Sequence, residues 1–266
     1  MENMELLDLF KPGAENKTKI RLFNIFKGLP ITTEASISLI GNSEITVACN
    51  RYQLSCLYHQ RETFIQSPEL PYIIRAQVMT INLSKEEATL SGFEITQNDI
   101  GNRMNIRVIP SDQLVGIFQI KSHPTKVIAP IADISIQGMS VFINNLLFPI
   151  KLFRTGDDVN FSITFPNDIS LKLKKELSKP SPITRNSRRI LRIIKPQLPI
   201  GNIEIDVRGK VLAMRSENKG FRHRVSLQLF LNENERMILS KYIALRQSEI
   251  IQDLRFFSED LFDHQA

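Results

Sequence analysis

The 266-residue sequence is poor in cysteine (two) and histidine (four), and it has no apolar run near the ~20 residues that cross a bilayer. Each scarcity excludes something. The longest apolar stretch, Val141 to Ile150, is interrupted by Asn144, Asn145 and Pro149, so no membrane span is expected. Cys49 and Cys56 point to a reducing compartment. With His59 they spell Cys-x6-Cys-x2-His, which lacks a fourth zinc ligand; the reading is two buried or half-buried thiols in strands and no metal. The other histidines, His123, His223 and His264, are scattered. No nucleophile–histidine arrangement and no glycine-rich phosphate loop occurs, so an enzyme is not expected. The opening Met1-Glu-Asn-Met-Glu5 has no signal-peptide pattern, and the expected location is the cytoplasm.

What is present is ordinary in amount and uneven in placement. The hydrophobic share, 42%, suits a soluble chain of one or two domains. The net charge of +6 is local. Between Lys172 and Lys195 nine basic side chains face one acid, Glu176, so that stretch is +8 and the rest of the chain is −2. This argues against a protein built throughout to coat nucleic acid.

Along the chain, Met4–Phe10 suggests a short amphipathic helix. Residues 17–26 and 35–49 read as strands, with breaks at Pro30 and Gly41. Residues 53–59, 63–66, 72–82 and 87–93 continue the strand-like pattern, with a hairpin connection at Asn82-Leu-Ser-Lys-Glu-Glu87. The polar, turn-rich Gln97–Asn102 marks a domain boundary. Residues 167–200, with Pro180, Pro182, Pro196 and Pro199, interrupt the second half as a basic insertion containing helical turns at 171–177 and 188–194. Asn232-Glu-Asn-Glu235 reads as a capping box opening a helix to about Phe257.

The informative stretch is Arg103-Met-Asn-Ile-Arg107 followed by Asp133-Ile-Ser135-Ile-Gln-Gly138. Arginine offers a planar fork that fits phosphate oxygens and stacks on flat bases. A carboxylate such as Asp133 accepts from the N1–H and N2–H of guanine, Ser135 bonds nearby backbone or a ligand edge, and Gly138 permits a positive φ or a close approach. Each half alone reads as no more than an exposed loop or a simple turn. Arg185/Arg189 and Arg188/Arg192 repeat the arginine spacing with no Asp-x-Ser-x-x-Gly after them, and Asp168-Ile-Ser170 has Leu173 where glycine is needed. Only one stretch has both halves in order.

These residues resemble the signature of the PilZ domain, the bacterial receptor module for cyclic di-GMP: Arg-x-x-x-Arg, then [Asp/Asn]-x-Ser-x-x-Gly. Arg103, Arg107, Asp133, Ser135 and Gly138 match all five positions, while Asn102 stands where many members carry a further arginine. Residues 152–165, the pair 203–207 and 209–213, and 225–230 are similar to the barrel strands that follow in the family, so the resemblance covers roughly 98–255. Residues 1–97 resemble the second barrel of YcgR-like flagellar-brake proteins.

The resemblance implies a mainly β chain of two β-barrel domains: an N-terminal split-barrel-like domain at 1–97, and a six-stranded PilZ barrel at 98–266 with the insertion at 167–200 and a C-terminal α-helix. It implies cyclic di-GMP as ligand, no cofactor, and Arg103, Arg107, Asp133, Ser135 and Gly138 as its contacts. It further implies a ligand-dependent domain arrangement read by a protein partner of the flagellar, pilus or polysaccharide machinery, controlling motility or biofilm, in a monomer or homodimer. The other reading of the residues is a nucleic-acid or membrane-surface binder acting through the basic 171–195 stretch.

Overall fold

A computed structural model describes residues 6–7, 9–10, 19–67, 70, 72–96, 105–111, 114–120, 126–144, 153–177, 202–217 and 222–263. By its internal contacts the chain divides into two compact units, Met1–Ile106 with Glu249–Ala266, and Arg107–Ser248.

The first unit is a closed antiparallel barrel. Its strands are β1 (Lys19–Phe26), β2 (Leu29–Ile40), β3 (Glu44–Cys49), β4 (Glu62–Gln66), β5 (Ile73–Asn82) and β6 (Glu87–Thr96), ordered β1-β2-β3-β6-β5-β4. The pairing of β1 with β4 closes the ring. Alternation fills the interior with Leu22, Ile45, Val47, Ile65, Ile74 and Leu90, all fully buried. The β5–β6 hairpin forms where expected, with Asn82 Oδ1 accepting from Lys85 N at 3.1 Å and Glu86 at φ 55°.

Helix α1 (Arg51–Gln60) corrects the strand expected at residues 53–59. Asn50 caps it, its side chain accepting from Gln53 N at 2.9 Å, and Arg61 ends it in the left-handed region at φ 59°. The stretch has no β-branched residue, and its buried residues run without a break from Gln53 to Leu57. Cys56 therefore lies on a helix, whereas Cys49 ends a strand.

The helix packs against five of the six strands and is tied to the wall by a buried polar network. Asn24 Nδ2 donates to Gln60 Oε1 (2.5 Å) and to the Glu62 carbonyl (2.7 Å). Asn24 Oδ1 accepts from Gln53 Nε2 (2.6 Å) and Thr63 Oγ1 (2.8 Å), and Thr33 Oγ1 lies 3.1 Å from Gln53 Oε1. Every member is satisfied, the condition under which a buried network specifies one arrangement. Of the helix expected at residues 4–10, Leu6 and Leu7 are helical and join the core with Phe10, which lies 5.5 Å from Phe93; Met4, Glu5 and Asp8 lie outside the described residues.

The second unit is also a closed antiparallel barrel. It contains β7 (Val115–Ile120), β8 (Lys126–Ile134), β9 (Gly138–Asn144), β10 (Asp158–Thr164), β11 (Glu204–Glu217) and β12 (Arg222–Phe230), ordered β10-β11-β12-β9-β8-β7, with β10 and β7 paired. The two strands expected at 203–207 and 209–213 are one strand, β11. Gly209 does not break it: a Cβ there would lie 2.4 Å from the Gln228 carbonyl oxygen, so glycine serves close approach to β12.

Helix α2 (Asn167–Leu177) covers one end with Ile169 and Leu173 and is stitched on by the buried Ser170, whose hydroxyl donates to the Phe165 carbonyl (2.9 Å) and accepts from Ile203 N (2.9 Å). The remainder of the basic insertion, 178–201, lies outside the described residues.

Helix α3 (Glu233–Asp263) opens with the expected capping box: Glu235 N donates to Asn232 Oδ1 (2.9 Å), and Glu235 Oε2 accepts from Asn232 N (2.8 Å). It runs about six residues past the expected end. In the second unit Tyr242 of this helix packs on Phe165, 5.0 Å between ring centroids. In the first, Phe257 meets Tyr58 and His59, and Asp253 pairs with Lys27 at 2.7 Å. No helix among the described residues is long and apolar enough to cross a membrane.

Two outcomes follow. Asn24→Ala removes the hub that holds two glutamines and a threonine, and is expected to destabilise the first unit by about 2–4 kcal/mol in denaturant unfolding. Burial raises both thiols from an ordinary 9.0 to about 12, with Glu86 and then Cys56 adding to the effect at Cys49. Folded protein therefore keeps protons that unfolded chain loses between these values. The thiols' contribution is full below the lower value and is lost as pH rises toward the higher. A disulfide reagent at about pH 8 should label neither thiol until denaturant is added, and a Cys49→Ala, Cys56→Ala variant should show a shallower alkaline fall in thermal midpoint.

Candidate functional site

The site lies on the outer wall of the second barrel, where β8, β9 and β12 run side by side. Its position starts with a β-bulge. Pairing of β8 with β9 runs Ile131↔Val141 and then Asp133↔Ser140, with a register shift between. The extra residue, Ala132, re-aims the strand: Ile131 and Ile134 stay in the core while Asp133 moves into the outward row of Ser140 and Phe142. Asp133 is nonetheless only 5% exposed, because side chains close over it.

The turn after β8 is built by Ser135 and Gly138. Ser135 N donates to the Gly138 carbonyl (2.8 Å), and the Ser135 hydroxyl both donates to that carbonyl (2.8 Å) and accepts from Gly138 N (3.1 Å). The hydroxyl is thus taken up inside the turn. Gly138 serves close approach rather than a positive φ. A Cβ there would sit 2.8 Å from the Leu227 carbonyl oxygen of β12 and 3.6 Å from Arg107 Nη2.

The arginine segment reaches this turn through one isolated bridge. Val108 N donates to the Ile134 carbonyl and Ile134 N to the Val108 carbonyl, each at 3.0 Å. The bridge sets Arg107 beside Asp133, and Arg107 Nη1 donates to Asp133 Oδ1 at 2.8 Å. On the far side, the buried Arg246 of α3 donates from Nε to the Ile109 carbonyl at 2.8 Å. Residues 26 apart in sequence, one from each half of the pattern, are therefore in contact. Arg103 and its neighbour Asn102 lie outside the described residues.

The structure adds residues that the sequence reading missed. Arg224, opposite Phe142 in the β12–β9 register, donates from Nη2 to Asp133 Oδ2. Arg222, two residues earlier on the same outward face, stands 4.1 Å from the centre of the Phe142 ring and pairs with Glu217 at 2.9 Å. Arg224 lies 6.0 Å from the same ring. The available signal was the alternation in Arg222-His-Arg224-Val-Ser-Leu-Gln-Leu229, which sends both arginines to one face. Which acid they would meet depends on register across three strands.

Together Arg107, Arg222, Arg224, Asp133 and Glu217 carry a net charge of +1, beside an aromatic plate and the serines Ser140 and Ser226, whose hydroxyls are 3.5 Å apart. Such a surface attracts an anion and offers flat groups, both guanidinium and phenyl, to a planar ring. Among the described residues no group of three or more His, Cys, Asp or Glu side chains is placed to hold a metal ion. His59 of the cysteine pattern sits between Phe26 (5.6 Å) and Phe257 (5.9 Å).

No family model matches the sequence, and no curated protein does. Among solved structures the chain is similar to MrkH of K. pneumonia in complex with c-di-GMP, at 12% identity and a TM-score of 0.40, covering 95% of this chain and 97% of that one. It is similar to the inhibitor of motility MotI/DgrA of Bacillus subtilis, at 13% identity and a TM-score of 0.38, covering 87% and 96%. It is also similar to YcgR of Escherichia coli in complex with c-di-GMP, at 9% identity and a TM-score of 0.36, covering 95% and 93%.

Proposed function

We propose that this protein is a cyclic di-GMP-binding effector, and that the nucleotide binds where Arg107 meets Asp133. The carrying observation is that contact: the two halves of the five-residue pattern converge on the outer wall of one barrel, at the turn that Ser135 and Gly138 build. Cyclic di-GMP has two phosphodiester charges and two guanines. Arginine forks suit the first, and a carboxylate acceptor suits the N1–H and N2–H of the second. In this reading Arg103 and Arg107 hold phosphate oxygens and stack on guanine, Asp133 receives a guanine edge, and Ser135 and Gly138 keep the turn low enough for the base to approach.

The output is an arrangement of the two units that the nucleotide favours over others, read by a protein of the motility, pilus or polysaccharide machinery. The energy for that shift is the ligand's differential affinity for the two arrangements. No chemical step on the nucleotide is required.

Calorimetric titration with cyclic di-GMP tests this. The intact protein should bind at micromolar concentration or tighter, and Arg103→Ala, Arg107→Ala should weaken binding by ~100-fold or more. Gly138→Ala should weaken binding and lower stability by about 1–3 kcal/mol, since its methyl group meets the β12 backbone. No binding by the intact protein, or binding that survives the double substitution, overturns the assignment. Loss of all ligand interactions on deletion of 178–195, with Arg107 irrelevant, would instead move the function to the basic stretch.

A further inference from the structure

Asp133 is a nearly buried carboxylate with an arginine on each oxygen, Arg107 on Oδ1 and Arg224 on Oδ2. The two arginines differ in how they are anchored. Arg224 belongs to the interior of β12, paired with Arg215 of β11 on one side and Phe142 of β9 on the other. Its backbone cannot move without opening the barrel. Arg107 lies outside any named strand, on a stretch joined to the barrel by the isolated Val108–Ile134 bridge and to α3 through the Ile109 carbonyl, which accepts from Arg246. Of the two, Arg107 is free to trade its carboxylate for another anion.

That trade has a cost which the structure already offsets. A carboxylate left buried with no partner is strongly destabilised, whereas one that keeps a fixed guanidinium stays charged and oriented. We propose that Arg224 is a positioning residue for nucleotide recognition. It keeps Asp133 paired and aimed along the outer wall, so that Arg107 can leave for a phosphate while the carboxylate accepts a guanine edge. This rests on the cyclic di-GMP reading and extends it to a residue outside the five-position pattern. Arg224 acts through Asp133, and Phe142 and Arg222 line the side from which its guanidinium is held.

The experiment is a coupling measurement by titration with cyclic di-GMP on the full chain. Arg224→Ala should weaken binding about tenfold or more when Asp133 is present, and Arg224→Lys should restore part of the loss. In the Asp133→Asn background no charge needs compensation, so Arg224→Ala should there cost less than about twofold. An equal loss in both backgrounds overturns the proposal, because Arg224 would then act on the ligand directly or only on the fold.

If the intact protein binds no cyclic di-GMP, the functional reading fails, and denaturant unfolding of the unliganded protein decides the shared-carboxylate argument separately. Combined Arg107→Ala and Arg224→Ala should destabilise by more than the sum of the single changes, the excess vanishing with Asp133→Asn. Simple additivity overturns it.

Discussion

A buried carboxylate is the constraint around which the second barrel's outer wall is organised. Asp133 reaches the outward row through the bulge at Ala132, and two guanidinium groups close on it there from different segments. One of those segments is a barrel strand and the other a short stretch outside the strands, joined by the Val108–Ile134 bridge and by Arg246 at the Ile109 carbonyl. The asymmetry places one cation inside the strand ladder and one outside it. A pair of equally rigid arginines would make a stable ion triad with nothing to offer a ligand. A pair of equally loose ones would leave the buried acid without a fixed partner.

Much of this was legible in the sequence, and the failures are informative. The strand-rich alternation, the β5–β6 hairpin, the capping box at Asn232 and the pairing of the two halves of the motif were all readable because each depends on residues close in sequence or on a spacing. The helix at 51–60 was missed because its seven-residue apolar and polar mix was matched to a strand template, although Asn50 and the lack of β-branching argued otherwise. Its buried face carries Gln53 and Ser55 as well as Leu54 and Leu57, so the apolar period is blurred by a polar network visible only once Asn24 and Thr63 are brought near. Strand β11 was read as a pair, 203–207 and 209–213, for a related reason: glycine in a strand signals either a turn or a close neighbour, and the neighbour of Gly209 is Gln228, in another strand.

Arg224 was illegible for a deeper reason. Alternation gives its face but not its partner. Meeting Asp133 requires the β8–β9 register, the bulge within it and the β9–β12 register at once, and a one-residue slip in any of them would turn the arginine away from the acid. Residues that act through long-range register leave no local pattern, and Arg224 stands 91 positions from the carboxylate it holds.

What then secures the register is a matter of backbone contact. Strand β12 is approached from both sides by glycines at successive carbonyls: Gly138 of β9 beside that of Leu227, and Gly209 of β11 beside that of Gln228. Any side chain at either position would push β12 outward, and Leu227 and Leu229, which alternate into the core at the same place, would lose their seats. Gly138 therefore does two things. It closes the Ser135 turn, and it fixes the height of β12, three residues from Arg224. The second role links the motif glycine to an arginine outside the motif: a strand displaced at Leu227 carries Arg224 with it, and the carboxylate loses its fixed partner although no residue that touches it has changed. Gly209, in no recognised pattern, enters the same argument through the other side of the strand. The geometry of the site thus depends on two bare positions that let three backbones lie close together.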